Sequence, residues 1–280
     1  MTAYTINRKL WSTGRYLALS LYVLFALFPL FWLFRVSISP TKLLYTEGTS
    51  LWPSMVTIEN YLIVLQDTSF PTYFFNSVTV SLGTALCTTL IASAAGYAFS
   101  RFRFKGKAII AFLLLLTQMF PLVMVIAPIY RLMQPLGLTD SLTGLIVVYT
   151  AFNTPFATFL MQSFFDAVPK DLEDAAMIDG CTRFQALIRI VLPLTLPGMM
   201  ATLGFIFTAA WSELLFALML INSESQVTFP VGLLNFISKF SVDWGQMMAA
   251  GFLALIPACI FFALIQKYLV TGMTAGAVKG

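Results

Sequence analysis

The sequence predicts an all-α integral membrane protein with six transmembrane helices. Only 10% of its 280 residues are charged and 59% are hydrophobic, whereas a soluble domain carries about 25% charged residues. The mean hydropathy of +0.87 is too high for a surface that faces water. Six largely uncharged runs approach or exceed the roughly 20 residues that one helical span requires. A soluble globular protein is therefore excluded.

The six predicted spans divide the chain into a membrane domain and two short ends. None of the runs shows the alternation of a barrel strand, so helices are the structure that can satisfy their backbone in lipid. No small-residue cleavage site follows the first run, which we interpret as an uncleaved helix rather than a signal peptide. The predicted spans are residues 16–34, 73–100, 108–130, 141–165, 195–220 and 244–266. The membrane domain is thus 16–266, between an N-terminal arm of residues 1–15 and a C-terminal tail of residues 267–280.

The distribution of Lys and Arg predicts that both termini are cytoplasmic. Twelve of the 16 basic residues fall in the N-terminal arm, in the second-to-third and fourth-to-fifth connections, and in the tail, against four on the other side. Cytoplasmic segments of membrane proteins carry this excess of positive charge.

Several kinds of chemistry are absent from the sequence. There is no histidine, which is the commonest general base and metal ligand, so we predict neither a hydrolytic triad nor a metal site. The three cysteines, Cys87, Cys181 and Cys259, are far apart and are expected to be buried apolar residues. The chain also has no G-x-x-x-x-G-K-[ST] phosphate-binding loop, so ATP hydrolysis would have to take place on another subunit.

The connection between the fourth and fifth spans, residues 166–193, is unlike the rest of the chain, and we call it the acidic loop. It holds five of the twelve acidic residues and reads as two short helices. Pro169 is expected in the first turn of one helix, and Gly180 is expected to end it in a left-handed conformation. Thr182 and Gln185 form a capping-box pattern for the second helix, which is expected to bend near Pro193.

The acidic loop resembles the EAA motif of ATP-binding-cassette (ABC) importer permeases. Asp174 stands where the family usually has Glu, and Cys181 stands where it usually has a smaller residue. The residues that match the motif are Asp174, Ala175, Ala176, Asp179, Gly180, Ile190, Leu192 and Pro193. The segments Thr57–Tyr61, Asn76–Ser77 and Leu269–Gly280 are similar to the MalG-type carbohydrate permeases, so the resemblance covers nearly the whole chain.

The resemblance implies a type I ABC importer permease fold and a role in sugar uptake across the bacterial cytoplasmic membrane. The substrate would be a di- or oligosaccharide of the maltose or maltodextrin kind. The acidic loop would dock on a separate homodimeric ATPase, which would bind ATP and Mg²⁺, so no cofactor is expected on this chain. The tail residues Thr274, Ala275, Gly276 and Lys279 would contact the same ATPase. A second, MalF-like permease and an extracytoplasmic sugar-binding protein would complete the complex.

Two polar residues within the spans leave alternatives open. Glu213 is the ionisable residue placed well inside a predicted span, where charges are costly and mark either a transport path or a structural pair. Asn153, before Pro155, could line the same path or cap a broken helix. An ion-coupled secondary transporter is the alternative function, but it would need more intramembrane carboxylates than Glu213 alone. An intramembrane enzyme would need several catalytic groups at one depth.

Overall fold

The protein is built from helices throughout the residues that the computed structural model describes, which are 2–48, 50–238 and 241–277. Apart from an isolated antiparallel bridge between Ile237 and Val242, these residues contain no β structure. The α-helices are α1 (Thr2–Ser37), α2 (Thr41–Glu47), α3 (Glu59–Leu62), α4 (Phe70–Arg101), α5 (Lys107–Met119), α6 (Leu122–Met133), α7 (Leu142–Asp166), α8 (Asp171–Ile178), α9 (Arg183–Ala186), α10 (Leu192–Trp211), α11 (Leu215–Leu220), α12 (Phe229–Gly232) and α13 (Trp244–Ala277). The predicted all-α class is confirmed.

The membrane spans follow the predicted order. In the described residues, five helices are long and apolar enough to cross a bilayer, and the bent pair α5 and α6 makes a sixth when it is counted as one span. The five are Thr13–Ser37, Phe70–Arg101, Leu142–Asp166, Arg183–Trp211 and Trp244–Tyr268. Helix α1 includes most of the predicted N-terminal arm, and α13 continues into the predicted tail as far as Ala277.

The third and fifth predicted spans are each interrupted. Helices α5 and α6 meet at an angle of 105°, because Phe120 is extended before Pro121 and a residue that precedes proline is disfavoured in the helical region. In the fifth span, α10 ends at Trp211 and α11 starts at Leu215. The carboxylate of Glu213 accepts the backbone N–H groups of Phe216 and Ala217 at 3.0 and 3.3 Å, so it starts a new helix at this point.

The chain divides into two compact units, the first formed by residues 1–70 and 233–254. Within this unit the buried amide of Asn60 donates to the carbonyls of Ser37 and Ser39, both at 2.9 Å. The Tyr61 hydroxyl lies 2.6 Å from that of Ser37. Two residues of the Thr57–Tyr61 segment therefore hold the end of α1.

The second unit, residues 71–232 and 255–280, has an apolar core to which α4, α6, α7, α10 and α11 contribute. Helices α4 and α7 approach closely at Gly96. A Cβ atom there would lie 2.8 Å from the backbone nitrogen of Gln162 and from the Cβ of Met161. A larger residue at position 96 would separate the ends of these two helices, where the acidic loop begins.

The cysteines are not buried as predicted. Cys87 and Cys259 are exposed and Cys181 is partly buried, and all three are free thiols. The prediction failed because an apolar run in a membrane protein includes faces that point to lipid or to another chain as well as faces that point inward. Composition alone does not separate these faces.

Polar contacts tie the second unit together at one end of its spans. The Asn76 amide donates to the carbonyls of Ser225 and Val227 at 2.9 and 2.8 Å, and the Ser77 hydroxyl accepts the Phe229 N–H at 2.8 Å. Asp140, in the turn before α7, has a φ of +53°, a conformation that Asp tolerates better than most residues.

The Asp140 carboxylate joins the turn before α7 to the chain after α11. It accepts the hydroxyl of Ser223 and the backbone N–H groups of Ser223 and Asn222, the latter two at 2.8 and 2.9 Å. These hydrogen bonds hold the pKa of Asp140 below its ordinary value, first through the Ser223 hydroxyl and then through the two N–H groups. The ionised form is therefore the one that stabilises the folded chain.

We expect Asp140→Asn to lower the melting temperature at neutral pH. Asn also tolerates the left-handed conformation, so the change removes mainly the charge. Because the folded pKa is depressed, the stabilisation is complete above the unfolded pKa of about 3.9 and is lost as the pH falls through the lower folded value. The difference in melting temperature between the two proteins should therefore be largest at neutral pH and should shrink as the pH falls below the unfolded pKa. Equal melting temperatures at pH 7 would contradict the carboxylate's role.

Candidate functional site

The acidic loop folds as two short helices, as predicted. Helix α8 is followed by a turn through Gly180, and α9 continues through a π-helical turn, Leu187–Val191, into α10. This π-helical turn lies just before Pro193. Proline has no N–H to donate to the preceding helical turn, so the regular hydrogen-bond pattern is interrupted there. Pro169 lies before the helix rather than in its first turn, since α8 begins at Asp171 with Lys170 as its N-cap.

The turn between α8 and α9 is fixed by local hydrogen bonds. Gly180 has a φ of +90°, and the N–H of Cys181 donates to the carbonyl of Ala176 at 2.9 Å. This is the Schellman arrangement that ends a helix in a left-handed residue. The predicted capping box is present, with Gln185 N–H to the Thr182 hydroxyl at 3.3 Å and Thr182 N–H to the Gln185 side chain at 2.8 Å.

A buried salt bridge attaches α8 to the end of α4. The Nε of Arg101 donates to Oε1 of Glu173, and the side chains of the two residues are only 4% and 7% exposed. The Tyr97 hydroxyl donates to Oε2 of Glu173 at 2.9 Å. Both carboxylate oxygens of Glu173 therefore have donors from α4.

The Arg101 guanidinium also holds the segment between α7 and α8. One terminal nitrogen donates to the Val168 carbonyl and the other to the Ser100 hydroxyl, both at 2.8 Å. The Ser100 hydroxyl donates in turn to Asp166 at 2.5 Å. We call Tyr97, Ser100, Arg101, Asp166 and Glu173 the anchor cluster. Its bonds connect the last turn of α4, the last residue of α7 and the first turn of α8.

Sequence analysis missed the anchor cluster. Arg101 was counted only among the basic residues that predict orientation, and Glu173 only among the five acidic residues of the acidic loop. A weak signal was present, because Glu173 and Ala176 are three apart and share a helix face, and both are buried. The partner of Glu173 lies 72 residues away in the chain, and no local pattern identifies it.

The predicted motif residues occupy different environments. Asp174, Ala175, Asp179 and Gly180 are exposed, whereas Ala176 is buried within the chain. Ala176 therefore packs within the chain, and the contact of the motif with an ATPase stays a prediction. Ile190 and Leu192 are partly buried, and Pro193 is exposed at the start of α10.

The tail residues are only partly described. The backbone of Thr274, Ala275 and Gly276 lies in α13, and Lys279 is outside the described residues. Their predicted contact with an ATPase stays a prediction.

Glu213 and Asn153 both contact Tyr149 of α7. The Tyr149 hydroxyl donates to Oε2 of Glu213 at 2.5 Å, and the Asn153 amide donates to the Tyr149 carbonyl at 2.8 Å. Glu213 also caps the six-residue helix α11. These contacts give both residues a structural task next to the break in the fifth span.

The acidic loop exposes large apolar side chains, two of them before the fifth apolar helix and two within the first turns of that helix, which begins at Arg183. Ile178 is 86% exposed and Phe184 is 67% exposed. Leu172 and Ile188 are also exposed. Together these four residues form what we call the apolar rim. A cluster of exposed apolar residues of this kind marks a surface that interacts with another protein or with the membrane.

We expect Arg101→Ala to release α8 from the end of α4. Removing one partner of a buried ion pair leaves the other charge uncompensated and costs about 3–5 kcal/mol, so the amide protons of α8 should exchange with solvent about a hundredfold faster or more. Hydrogen exchange followed by mass spectrometry measures this rate, and Glu173→Gln should act in the same direction.

Arg103→Ala is the matched control for this experiment, because Arg103 is exposed and two residues from Arg101. A surface substitution of this kind usually changes stability by no more than about 0.5 kcal/mol, so α8 should keep its protection. Unchanged exchange in α8 of the Arg101→Ala protein would show that the salt bridge does not hold the helix.

Comparisons with known proteins place this architecture in one family. Residues 88–275 match the family described as "Binding-protein-dependent transport system inner membrane component". The chain is 35% identical over 266 residues to the sulfoquinovosyl glycerol transport system permease protein SmoH of Agrobacterium fabrum, with 95% of this chain and 93% of the relative covered. It is 37% identical over 265 residues to the trehalose/maltose transport system permease protein MalG of Thermococcus litoralis, with 93% and 94% covered.

A solved structure has the same fold. A chain of a bacterial ABC transporter involved in the import of the acidic polysaccharide alginate superposes with a TM-score of 0.79 at 23% sequence identity, and the match covers 94% of this chain and 97% of that one. The chain therefore belongs to the family of inner-membrane components of binding-protein-dependent transport systems, and it is a multi-pass permease subunit of an ABC importer.

Proposed function

We propose that the chain is the permease subunit of an importer for a di- or oligosaccharide of the maltose or maltodextrin kind. The MalG relative, a trehalose/maltose permease, aligns over 93% of this chain, and the SmoH relative is named for a glycosylated glycerol. The shared feature of these named substrates is a glycosidic linkage. That feature supports a glycoside as the cargo.

The energy for transport enters through the acidic loop, which docks on a separate ATPase. The observation that carries this proposal is the apolar rim, whose most exposed members are Ile178 and Phe184. The rim stands on a segment that the anchor cluster ties to a membrane span. A protein that covers the rim can therefore move the span to which the loop is attached.

Exposed charges surround the rim and supply selectivity. Asp174 and Asp179 are exposed on α8 and after it, so a basic surface of the ATPase would be complementary to the loop. Charge pairs at the edge of an interface mainly set specificity and the rate of association, whereas a desolvated apolar centre supplies most of the affinity. We therefore expect Asp174 to contribute less to the binding free energy of the ATPase than Ile178 does.

The complete importer consists of this chain, a second, MalF-like permease, two copies of the ATPase and an extracytoplasmic sugar-binding protein. The family description itself names dependence on a binding protein. The excess of Lys and Arg on the side of the acidic loop supports cytoplasmic termini and a cytoplasmic position for the dock. The tail residues from Thr274 onward would reach the same ATPase.

The translocation path runs beside the break in the fifth span. Broken helices at membrane depth are tolerated where they line a cavity or are covered by protein. The partly buried Glu213 and Asn153 lie next to this break. They would line the path and, through their hydrogen bonds with Tyr149, stabilise the helices beside it.

We expect Ile178→Ser to weaken the hold of the complex on its ATPase. Burying a side chain of this size contributes about 1.5–3 kcal/mol, which corresponds to about a 10- to 100-fold loss of affinity. The measurement is ATPase retained after purification, together with ATP hydrolysis stimulated by maltotriose-loaded binding protein. Asp174→Lys should reduce the stimulated ATP hydrolysis less than Ile178→Ser does, and Asp174→Glu should leave it close to the wild-type level.

Ile58→Ser is the matched control, because Ile58 is also an exposed apolar residue outside the spans but lies between α2 and α3. It should retain the ATPase and its stimulation. Wild-type behaviour of the Ile178→Ser complex would refute the dock. A complex that keeps its ATPase but is never stimulated by maltodextrins would refute the substrate class alone.

A further inference from the structure

A groove of about 740 Å³ lies where α4 ends, α5 begins and α7 passes behind them. Its walls are mainly apolar, with the rings of Phe99, Phe104 and Phe159 and the side chain of Ile109. Two polar side chains, Lys107 and Gln162, also line it. We propose that this groove binds an anionic phospholipid.

The position of the groove fits a lipid at the level of its headgroup. Phe99 is in the last turn of the α4 span, and Lys107 is the first residue of α5. Helix α5 has no buried residue among those described, and Phe112 and Leu113 are 62% and 51% exposed. An acyl chain can therefore lie along α5 while the headgroup stays at the groove.

The charge of the adjoining turn selects an anionic headgroup. Residues 102–107 contain Arg103, Lys105 and Lys107 and no acidic residue. In the part of the chain that the structure describes, none of these three forms a salt bridge. Basic pockets at the ends of membrane helices bind anionic lipid headgroups in this way.

The neighbouring Arg101 differs from these three cations in its pairing. Its charge is neutralised by Glu173 within the chain, whereas the three cations that follow it have no such partner in the described residues. Lys107 donates one hydrogen bond to the Phe99 carbonyl, and an ammonium group has two further donors for a phosphate. Arg103 and Lys105 are exposed and can supply the remaining positive charge.

The groove also adjoins the anchor cluster. Gln162, on its wall, lies 3.5 Å from the carboxylate of Asp166, and Phe99 directly precedes Ser100 and Arg101. A lipid in the groove would therefore rest against the helix end to which α8 is attached. The inference needs only a chain that spans a membrane and does not depend on which substrate is transported.

The test compares phosphatidylglycerol with phosphatidylcholine of the same acyl chains. The assembled complex, purified in detergent, is titrated with each lipid and the bound lipid is counted by native mass spectrometry. We expect the wild-type complex to bind phosphatidylglycerol more tightly. Each cation near an anionic headgroup contributes about a fivefold gain in affinity, from about 1 kcal/mol per Lys or Arg.

Arg103→Gln combined with Lys105→Gln should therefore lower the affinity for phosphatidylglycerol about 25-fold and leave that for phosphatidylcholine unchanged. Lys107 is kept, because it also holds the end of α4. The control, Lys42→Gln with Arg131→Gln, removes two exposed cations elsewhere and should have little effect.

A second pair of variants tests the groove without changing any charge. Ala111 lines the groove, so Ala111→Trp should exclude the lipid, whereas Leu115→Trp, exposed further along α5, should not. Equal binding of the two lipids by the wild-type complex would overturn the proposal. The same loss in the cation control as in the Arg103 and Lys105 variant, or full binding by Ala111→Trp, would also overturn it.

Discussion

The buried salt bridge between Arg101 and Glu173 is the interaction on which the candidate site depends. Two charges removed from water cost several kcal/mol each, and their attraction offsets this only when the remaining hydrogen-bonding groups are satisfied. Here Tyr97 donates to the carboxylate, and Val168 and Ser100 accept from the guanidinium. A pair that is satisfied in this way has few alternative arrangements, so it fixes the position of α8 relative to α4 more than it raises stability.

A partly buried charge with satisfied hydrogen bonds also shapes one of the interrupted spans. At the break in the fifth span, Glu213 accepts two backbone N–H groups of α11 and a hydroxyl from Tyr149. Its charge is thus used to begin a helix within a span. At the bend in the third span, Pro121 removes a backbone donor instead. At the break in the fifth span, Glu213 thus supplies partners for backbone N–H groups that the interruption would otherwise leave without acceptors, which is the main constraint on a chain in lipid.

Much of the architecture followed from residue patterns of short range. The spans were predicted from apolar runs. The turn at Gly180 was predicted because a helix often ends in a residue with positive φ, and the second helix of the acidic loop was predicted from the capping pair Thr182 and Gln185, three residues apart. Each of these features is decided within one turn of helix or one continuous run. The breaks after Met119 and Trp211 were only partly foreseen. A proline in a span can kink the helix, and an acidic residue can cap a new one, but either can also lie in an unbroken helix. The packing of neighbouring segments decides between these outcomes.

The features that sequence reasoning missed depend on contacts between distant segments. Within the eight residues of α8, the sequence only weakly distinguishes the buried Glu173 from the exposed Asp174, since both follow the N-cap and both favour a helix start. The difference is made by Arg101, which another helix brings into place. For the same reason the three cysteines could not be assigned to a face of their helices. The resemblance to a family correctly directed attention to the acidic loop, but it emphasised the exposed acid rather than the buried one.

If an ATPase acts on the acidic loop as proposed, α8 and α4 should move as one body. The most direct measurement is the distance between spin labels at Asp171, the exposed first residue of α8, and at Leu90, an exposed residue of α4, in an assembled complex whose native cysteines have been replaced. The distance distribution should be the same with and without ATP, and it should broaden when Glu173 is changed to Gln. A shift of Asp171 relative to Leu90 on ATP binding, in the labelled complex with Glu173 intact, would contradict this expectation.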